Sequence, residues 1–297
     1  MSNLIYQYWD GDLTPAVADG SNAMRQYAER IGAEYIFDNN PNALRNIFKM
    51  EIPIVSPYYS AFKPVWDKSF DEYDKILYAD VDVWPLKHMS DNIFDDGLLG
   101  DADIGICTEP LAPELRKKTA CPWINHDADL YWAKLMKQGY DIDVPKLADG
   151  SVEVFNSGVV LYSRAGRIKA RERWVKPDDY DYNIIWSELD TFYTIDQCYL
   201  HAMMFYADMD IQRLDNSWNC LVHHQRYAED PNVRHIVDER NGRERFVHIQ
   251  LHGAEKLDKD MLQSIANDPR EEWKPIDSLM GSDETKLGWH NTDWPNI

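Results

Sequence analysis

The first 40 residues alternate between strand-like and helix-like patterns, which restricts what this chain can fold into. The apolar run Asn3–Trp9 predicts a short strand. Ser21 can cap a helix over Ala23–Ile31, where apolar residues recur at helical spacing, and Gly32 can close it. Ala33–Phe37 then predicts a second strand. Strand, helix, strand is the repeating unit of a sheet with parallel neighbours, whose carboxyl edge usually binds the ligand.

The rest of the chain continues in the same manner. With 297 residues and a hydrophobic fraction of 44%, it has enough material for the core of one large α/β domain. Apolar runs of strand length recur at Tyr73–Ala79, Ile104–Cys107 and Val159–Tyr162, and one-sided apolar patterns predict helices at Leu130–Gln138 and Gln197–Phe205. We therefore expect a sheet covered by helices.

The charge of the chain argues against nucleic acid as a partner. The formal net charge is −20, from 31 Lys and Arg against 51 Asp and Glu. Proteins that bind phosphate backbones need clustered basic residues to displace counterions. A small anionic ligand remains compatible with this charge, provided that a metal ion and one or two lysines reverse the local field.

The sequence carries no pattern of a membrane or secreted protein. No stretch approaches the roughly 18 to 20 apolar residues that span a bilayer. The N-terminus lacks a basic region followed by an apolar run, so we expect a cytoplasmic location. The four cysteines, Cys107, Cys121, Cys198 and Cys220, have neither metal nor redox spacing and are interpreted as reduced core thiols.

Two carboxylates follow the apolar strand that ends at Ala79. Asp80 and Asp82 are two residues apart, so in an extended chain they point the same way. Two nearby carboxylates repel each other unless a cation pairs them, and Mg²⁺ or Mn²⁺ would accept both and leave positions for phosphate oxygens. Taken alone, the pair could equally be a solvated strand end.

Two further segments place polar groups next to predicted elements. Asn156, Ser157 and Gly158 read as a small turn before an apolar strand, where glycine allows a ligand to approach the backbone. Asp196 and Gln197 open a predicted helix, preceded by Thr194. Thr194 or Asp196 could simply be the helix cap, or Asp196 and Gln197 could face sugar hydroxyls.

The segment Phe246–Gly253 alternates strictly between apolar and polar residues. His248, Gln250 and His252 therefore share one face of a predicted strand. A metal ion held by the two aspartates would accept an imidazole as third protein ligand, and Lys256 could neutralise a departing diphosphate.

In this order, the motifs resemble the GT-A glycosyltransferases, and most closely the glycogenin-like retaining family 8. The resemblance spans roughly Leu4 to Lys256. It is carried by the following pieces: Ile5–Trp9, Lys63, Leu77–Asp82, Phe155–Val159, Asp196–Gln197, Leu214–Asn219 and a terminal His/Gly/Lys motif. It implies one GT-A, Rossmann-like domain over residues 1–265, with a mixed, mainly parallel sheet flanked by helices. Residues 266–297 would then form a helical or irregular tail.

The resemblance also implies a role for each matching residue. The metal would be Mn²⁺ or Mg²⁺, and the lysines would contact the phosphates of the donor. The tyrosines would contact the base. The polar residues of the motifs around Asn156 and Asp196 would contact the transferred sugar. The implied metal ligands are Asp80, Asp82 and His252; the donor-binding residues are Tyr6, Tyr8, Lys63, Asp80, Val81, Ser157, Gly253 and Lys256; the catalytic residues are Asp196, Gln197 and Asn156.

The terminal motif departs from the family pattern. The family usually has histidine three residues before the glycine, and that position is Gln250 here, whereas His252 directly precedes Gly253. Imidazole is the better ligand, so we predict His252, with Gln250 and His248 as open alternatives.

The implied function is metal-dependent transfer of a sugar from a nucleotide-diphosphate donor, with UDP the commoner nucleotide, to a glycan or other hydroxyl acceptor with retention of configuration. One alternative is a nucleotidyltransferase that makes nucleotide-sugars, although the loop after the first strand contains no Lys or Arg to cradle a triphosphate. Another is a non-catalytic carbohydrate-binding protein that stacks sugars on its 11 Trp and 17 Tyr. The sequence gives no indication of the acceptor or of the oligomeric state.

Overall fold

The chain divides into two compact units. In the computed structural model, the described residues are 2–9, 13, 15–39, 57–86, 89–118, 124–221 and 244–248. The first unit comprises Met1–Gly11, Ala28–Asp80 and Asn92–Leu214; the second comprises Asp12–Tyr27, Val81–Asp91 and Asp215–Ile297. The predicted boundary between residues 265 and 266 lies outside the described ranges and stays a prediction.

Strands and helices alternate along the described chain. The strands are β1 (Asn3–Tyr8), β2 (Glu34–Asp38), β3 (Lys75–Ala79), β4 (Val83–Pro85), β5 (Ile104–Thr108), β6 (Phe155–Ser163), β7 (Ile211–Arg213), β8 (Cys220–Leu221) and β9 (Phe246–His248). The α-helices are α1 (Pro15–Ile31), α2 (Lys63–Trp66), α3 (Asp96–Leu99), α4 (Ala112–Lys118), α5 (His126–Tyr140), α6 (Arg164–Arg173), α7 (Pro177–Ile185) and α8 (Asp196–Tyr206). Short 3₁₀ turns lie at Pro57–Phe62, Lys68–Glu72, Thr191–Thr194 and Asn216–Trp218.

The first unit is built on a sheet with the strand order β2-β1-β3-β6-β5-β7. β1 is parallel to β2 and β3, and β5 is parallel to β7. β6 is antiparallel to both β3 and β5, and the helices α6 and α8 pack against it. The prediction of an α/β fold with a mixed, mainly parallel sheet is therefore confirmed.

The reversed strand β6 brings three chain segments to one edge of the sheet. Because β6 runs against β3 and β5, its first residues lie where those two strands end. The Asp80 amide donates to the Gly158 carbonyl at 2.9 Å, and Phe155 pairs with Thr108. This edge therefore carries the residues that follow β3 and β5.

The prediction of a turn over Asn156–Gly158 is wrong. These residues belong to β6, and the register between β5 and β6 shifts between Ile106 and Cys107. The Asn156 side chain accepts from the Gly158 amide at 2.9 Å, a local turn-like bond inside an extended strand. A register irregularity of this kind lets polar residues sit in a strand without ending it.

Two predicted helix starts are also corrected. α1 begins at Pro15 rather than after Ser21, since proline suits the first turn of a helix, where its missing N–H is not needed. The Ser21 hydroxyl donates instead to the Ala18 carbonyl within the helix. Thr194 does not cap α8, because Ile195 occupies the N-cap position, and the Thr194 hydroxyl donates to the Thr191 carbonyl. None of the helices within the described ranges is long and apolar enough to cross a membrane.

Three of the four cysteines fall within the described ranges. Cys107, Cys198 and Cys220 are buried and form no disulfide. Their interpretation as core thiols is confirmed, and Cys121 lies outside the described residues.

The second unit holds a small sheet of order β4-β9-β8. β9 is antiparallel to β4 and parallel to β8. Gly20 lies so close to the turn before β4 that a Cβ there would stand 2.2 Å from the Val81 carbonyl oxygen and 2.6 Å from Trp84 Nε1. The absence of a side chain at residue 20 thus lets α1 approach the turn that contains Val81 and Asp82.

A buried carboxyl group in the first unit predicts a dependence of stability on pH. The Tyr59 phenol oxygen lies 2.6 Å from both Asp181 Oδ1 and the Thr194 carbonyl oxygen. A phenol has one hydrogen to donate, so both contacts are satisfied when protonated Asp181 donates to Tyr59 and Tyr59 donates to Thr194. Burial raises the pKa of the Asp181 carboxyl to about 7, which favours this neutral form.

We expect the free energy of unfolding to fall as pH rises from about 4 to about 7 because of Asp181. The pKa of Asp181 is higher in the folded state than in the unfolded state, so between these two values the native state holds a proton that the unfolded state has lost. Removing this proton from folded Asp181 costs on the order of a few kcal/mol of stability. In Asp181→Asn the amide donates at every pH, so the variant should gain stability over the native chain as pH rises.

Urea unfolding at pH 5 and pH 8 measures this difference. Asp179→Asn, which changes an exposed carboxylate on the same helix, serves as the control. An advantage of Asp181→Asn that is equal at the two pH values would contradict the protonated pair.

Candidate metal and donor site

Asp80 is fixed directly after β3 by three hydrogen bonds. Its amide is held by Gly158 across the sheet, and its carbonyl accepts from Gln7 Nε2 at 2.8 Å. The Tyr78 hydroxyl donates to Asp80 Oδ1 at 2.6 Å. Burial and the Asp80 charge raise the pKa of Tyr78 well above its usual value, so Tyr78 stays a neutral donor. The carboxylate therefore has a defined position at the sheet edge.

A second carboxylate of the same unit stands at the start of α8. Asp196 is 8% exposed. Burial raises the pKa of its carboxyl to about 7, the Asp80 charge adds to the rise, and hydrogen bonds from the Ser157 side chain and the Gln197 amide oppose it. Asp80 and Asp196 thus interact as like charges, and a cation beside Asp80 would lower the cost of ionising both.

The predicted sugar-site residue Asn156 is tied to a carboxylate that the sequence analysis missed. Asn156 Nδ2 donates to Glu109 Oε1, and Glu109 is 1% exposed. Glu109 directly follows β5, just as Asp80 directly follows β3. The sequence did contain a signal for Glu109, because Glu109 is an acidic residue directly after an apolar strand. The edge of the large sheet where β3 and β5 end therefore carries four polar residues of the first unit: Asn156, Ser157, Asp196 and Glu109.

In the second unit, Asp82 lies beside a buried histidine. The distance from His248 Nε2 to Asp82 Oδ1 is 3.4 Å. His248 Nδ1 lies 2.9 Å from Asn219 Oδ1, and His248 is 6% exposed. β9 carries His248, and its pairing with β4 and β8 fixes the position of this residue. One ring nitrogen thus faces an amide and the other faces the Asp82 carboxylate.

Within the described ranges, Asp82 and His248 of the second unit are candidate metal ligands. Asp82 and His248 are neighbours within the second unit, and Val81 alone separates Asp82 from Asp80 along the chain. Two carboxylates and an imidazole form a donor set that fits Mn²⁺, which accepts both oxygen and nitrogen. His248, left open as an alternative by the sequence, is the histidine that the structure places beside Asp82. His252 and Gln250 lie outside the described residues, as do Gly253 and Lys256.

Two residues predicted to bind the donor, Tyr6 and Lys63, contact Asp38, the last residue of β2. The Lys63 ammonium forms an ion pair with Asp38 Oδ2, and the Tyr6 hydroxyl donates to the same oxygen at 3.1 Å. Tyr6 is 0% and Tyr8 7% exposed. A base contact by Tyr6 would require its surroundings to move, whereas Lys63 is part-exposed; both assignments stay predictions.

Val81 and Gln197 were also predicted as site residues. The Val81 side chain is 3% exposed, so any contact with a donor would have to come from its backbone. Gln197 lies in the first turn of α8 and is partly exposed, next to Asp196. The structure brings Gln197 to the same edge as Asn156 and Ser157.

Comparison with known proteins finds similar solved structures. No family model and no curated protein match the sequence. A glycosyltransferase involved in the glycosylation of the major capsid of PBCV-1 is 10% identical, with a TM-score of 0.39; the match covers 90% of this chain and 98% of that one. Mouse xyloside xylosyltransferase 1 is 14% identical, with a TM-score of 0.44 and coverage of 84% and 97%. The glycosyltransferase GlyE of Streptococcus pneumoniae TIGR4 is 12% identical, with a TM-score of 0.48 and coverage of 93% and 62%. Similarity at this level assigns no role to any residue of this chain.

Proposed function

We propose that the protein is a metal-dependent glycosyltransferase that moves a sugar from a nucleoside-diphosphate donor to a hydroxyl acceptor. The observation that carries the proposal is the approach of His248 to Asp82, two residues after Asp80. A buried imidazole nitrogen aimed at a carboxylate is a costly arrangement unless a proton or a cation lies between them. The order of motifs along the sequence, which resembles GT-A enzymes, supports UDP as the nucleotide and Mn²⁺ or Mg²⁺ as the metal.

Asp80 and Asp82 would hold the cation, and His248 would be the third protein ligand in place of the predicted His252. When bound, the divalent cation would neutralise the diphosphate that leaves the sugar. The −20 charge of the chain makes such local neutralisation necessary for an anionic donor. Lys63 and Lys256 are the proposed phosphate contacts.

The groups of the first unit would act on the sugar itself. Breaking the bond to the diphosphate leaves positive charge on the anomeric carbon, and a carboxylate nearby stabilises it. Asp196 is the candidate because it is buried, and because Ser157 and the Gln197 amide hold its oxygens. Asn156 and Gln197 would orient hydroxyl groups, with Asn156 held in place by Glu109.

Retention of configuration is part of the proposal and rests on the sequence resemblance alone. The anomeric linkage of the product, read by NMR, tests it, and inversion of an α-linked donor would remove the protein from the retaining class. The cytoplasmic location likewise rests on the sequence alone and stays a prediction.

The test is a panel of nucleotide-sugars incubated with the protein and Mn²⁺, with and without chelator, in which release of free nucleoside diphosphate is measured. We expect slow hydrolysis of one donor that stops when the metal is chelated. No hydrolysis, together with no metal-dependent thermal shift for any donor, would instead favour a carbohydrate-binding protein. Release of pyrophosphate from a nucleoside triphosphate and a sugar phosphate, with formation of the nucleotide-sugar, would favour a nucleotidyltransferase.

A further inference from the structure

We infer that Asn219 is a positioning residue that orients His248 and sets which of its ring nitrogens is available to a divalent cation. The inference rests on the proposed metal function and extends it to a residue that does not touch the cation. Its basis is the 2.9 Å contact between Asn219 Oδ1 and His248 Nδ1. Both side chains are nearly removed from solvent, at 4% and 6% exposure.

The backbone around Asn219 is held against the strand that carries His248. Asn219 ends the 3₁₀ turn Asn216–Trp218, and its amide donates to the Asn216 carbonyl at 3.1 Å. The Arg245 amide donates to the Ser217 carbonyl at 2.8 Å, one residue before β9 begins. The following strand, β8, runs parallel to β9. The side-chain amide of Asn219 is therefore held next to the His248 ring by a backbone that is itself hydrogen-bonded on both sides.

The contact decides the protonation of the ring. An oxygen acceptor at Nδ1 requires a hydrogen there, and in neutral imidazole Nε2 then carries the lone pair. Nε2 is the nitrogen that lies 3.4 Å from Asp82 Oδ1. The opposite tautomer would place a hydrogen on Nε2, where it would donate to Asp82 and occupy the position that a cation needs.

Loss of such an outer hydrogen bond commonly weakens metal affinity by about 10- to 100-fold. We therefore expect Asn219→Leu, which has the same branched shape and number of heavy atoms but no acceptor, to bind Mn²⁺ about 10- to 100-fold more weakly than the native chain. Asn219→Asp keeps an oxygen acceptor and should retain the native affinity or exceed it. The measurement is titration of the full-length protein with Mn²⁺ alone, with free Mn²⁺ read by electron paramagnetic resonance.

His248→Ala separates failure of this inference from failure of the proposed function. If His248→Ala weakens Mn²⁺ binding and Asn219→Leu does not, the positioning role is overturned and the metal site stands. If the native chain does not bind Mn²⁺, or if His248→Ala binds it as well as the native chain does, the proposed ligand set itself is wrong.

A second measurement needs no substitution at Asn219 and covers the case in which Asn219→Leu does not fold. Nitrogen-15 NMR of the native protein with Mg²⁺ distinguishes the two tautomers of His248, with His248→Ala used for assignment. A hydrogen on Nδ1 is expected. A hydrogen on Nε2 of His248 in the metal-free and metal-bound protein would overturn the inference.

Discussion

Asp82→Asn is expected to lower metal-dependent donor hydrolysis by at least about 100-fold, because loss of a ligand should exceed the 10- to 100-fold effect of losing an outer partner. Asparagine keeps the volume of the side chain and removes its charge. The fold should survive, because the substitution neutralises one of two neighbouring carboxylates. These carboxylates repel each other when no cation is bound. The measurement is nucleoside diphosphate release at the lowest Mn²⁺ concentration that saturates the native chain, with the donor identified from the panel.

The matched control is Asp91→Asn. Asp91 belongs to the same compact unit, forms an ion pair with Arg245 at the surface and is not one of the candidate ligands. Its loss should leave hydrolysis unchanged, since exposed ion pairs contribute at most about 1 kcal/mol to stability. Full metal-dependent activity in Asp82→Asn would remove Asp82 from the site and leave the 3.4 Å contact with His248 as an ordinary buried pair.

Asp196→Asn is expected to reduce kcat for transfer by about 100- to 1000-fold while Mn²⁺ affinity stays within a few-fold of the native value. This is the size of effect seen when one preorganised electrostatic group is removed from an active site. Asparagine is isosteric and can still accept from Ser157 and Gln197. It removes a buried charge whose pKa is raised to about 7, so the variant should be no less stable than the native chain at pH 8.

Asp181→Asn is the control for Asp196→Asn. Asp181 is a buried aspartate of the same unit whose pKa is also raised to about 7, but its partner is Tyr59 and it lies outside the proposed site. Equal losses of kcat in the two variants would show that burial of a carboxyl group, rather than a role in transfer, explains the effect. Unchanged kcat in Asp196→Asn would assign the charge stabilisation to another group, and Glu109→Gln would then be the next variant.

The positions of the main elements followed from the sequence because their apolar residues recur with clear periods. β3 was predicted at Tyr73–Ala79 and lies at Lys75–Ala79, and the helix predicted over Leu130–Gln138 lies at His126–Tyr140. Element ends were less predictable. The helix before β2 begins at Pro15 and not after Ser21, since several residues along a helix have the composition of a cap but only local backbone geometry selects one.

Of the candidate site, the part carried by consecutive residues was predictable and the part created by strand pairing was not. Asp80 and Asp82 follow a strand, and that spacing alone suggested a metal. The closeness of Glu109 to Asn156 depends on the register of β5 against β6, including its irregularity at Ile106. No local pattern encodes that register.

The contact between His248 and Asn219 was beyond sequence reasoning for a related reason. It joins residues 29 positions apart through the pairing of β8 with β9. Alternation placed His248, Gln250 and His252 on one strand face, and only the packing around β9 could distinguish His248 by bringing it to Asp82.

The reversed strand β6 has a consequence for how the protein is made. β3 gains its second neighbour only when β6 pairs with it, and β6 ends at Ser163, whereas β3 ends at Ala79. During synthesis, a ribosome must therefore add more than 80 residues after Ala79 before the open side of β3 is closed, and Asp196 follows later still. Unpaired apolar strand edges are aggregation-prone, and contacts between distant segments form slowly. The nascent chain thus carries the Asp80 and Asp82 charges, which oppose self-association, directly after a strand whose second neighbour is synthesised more than 80 residues later.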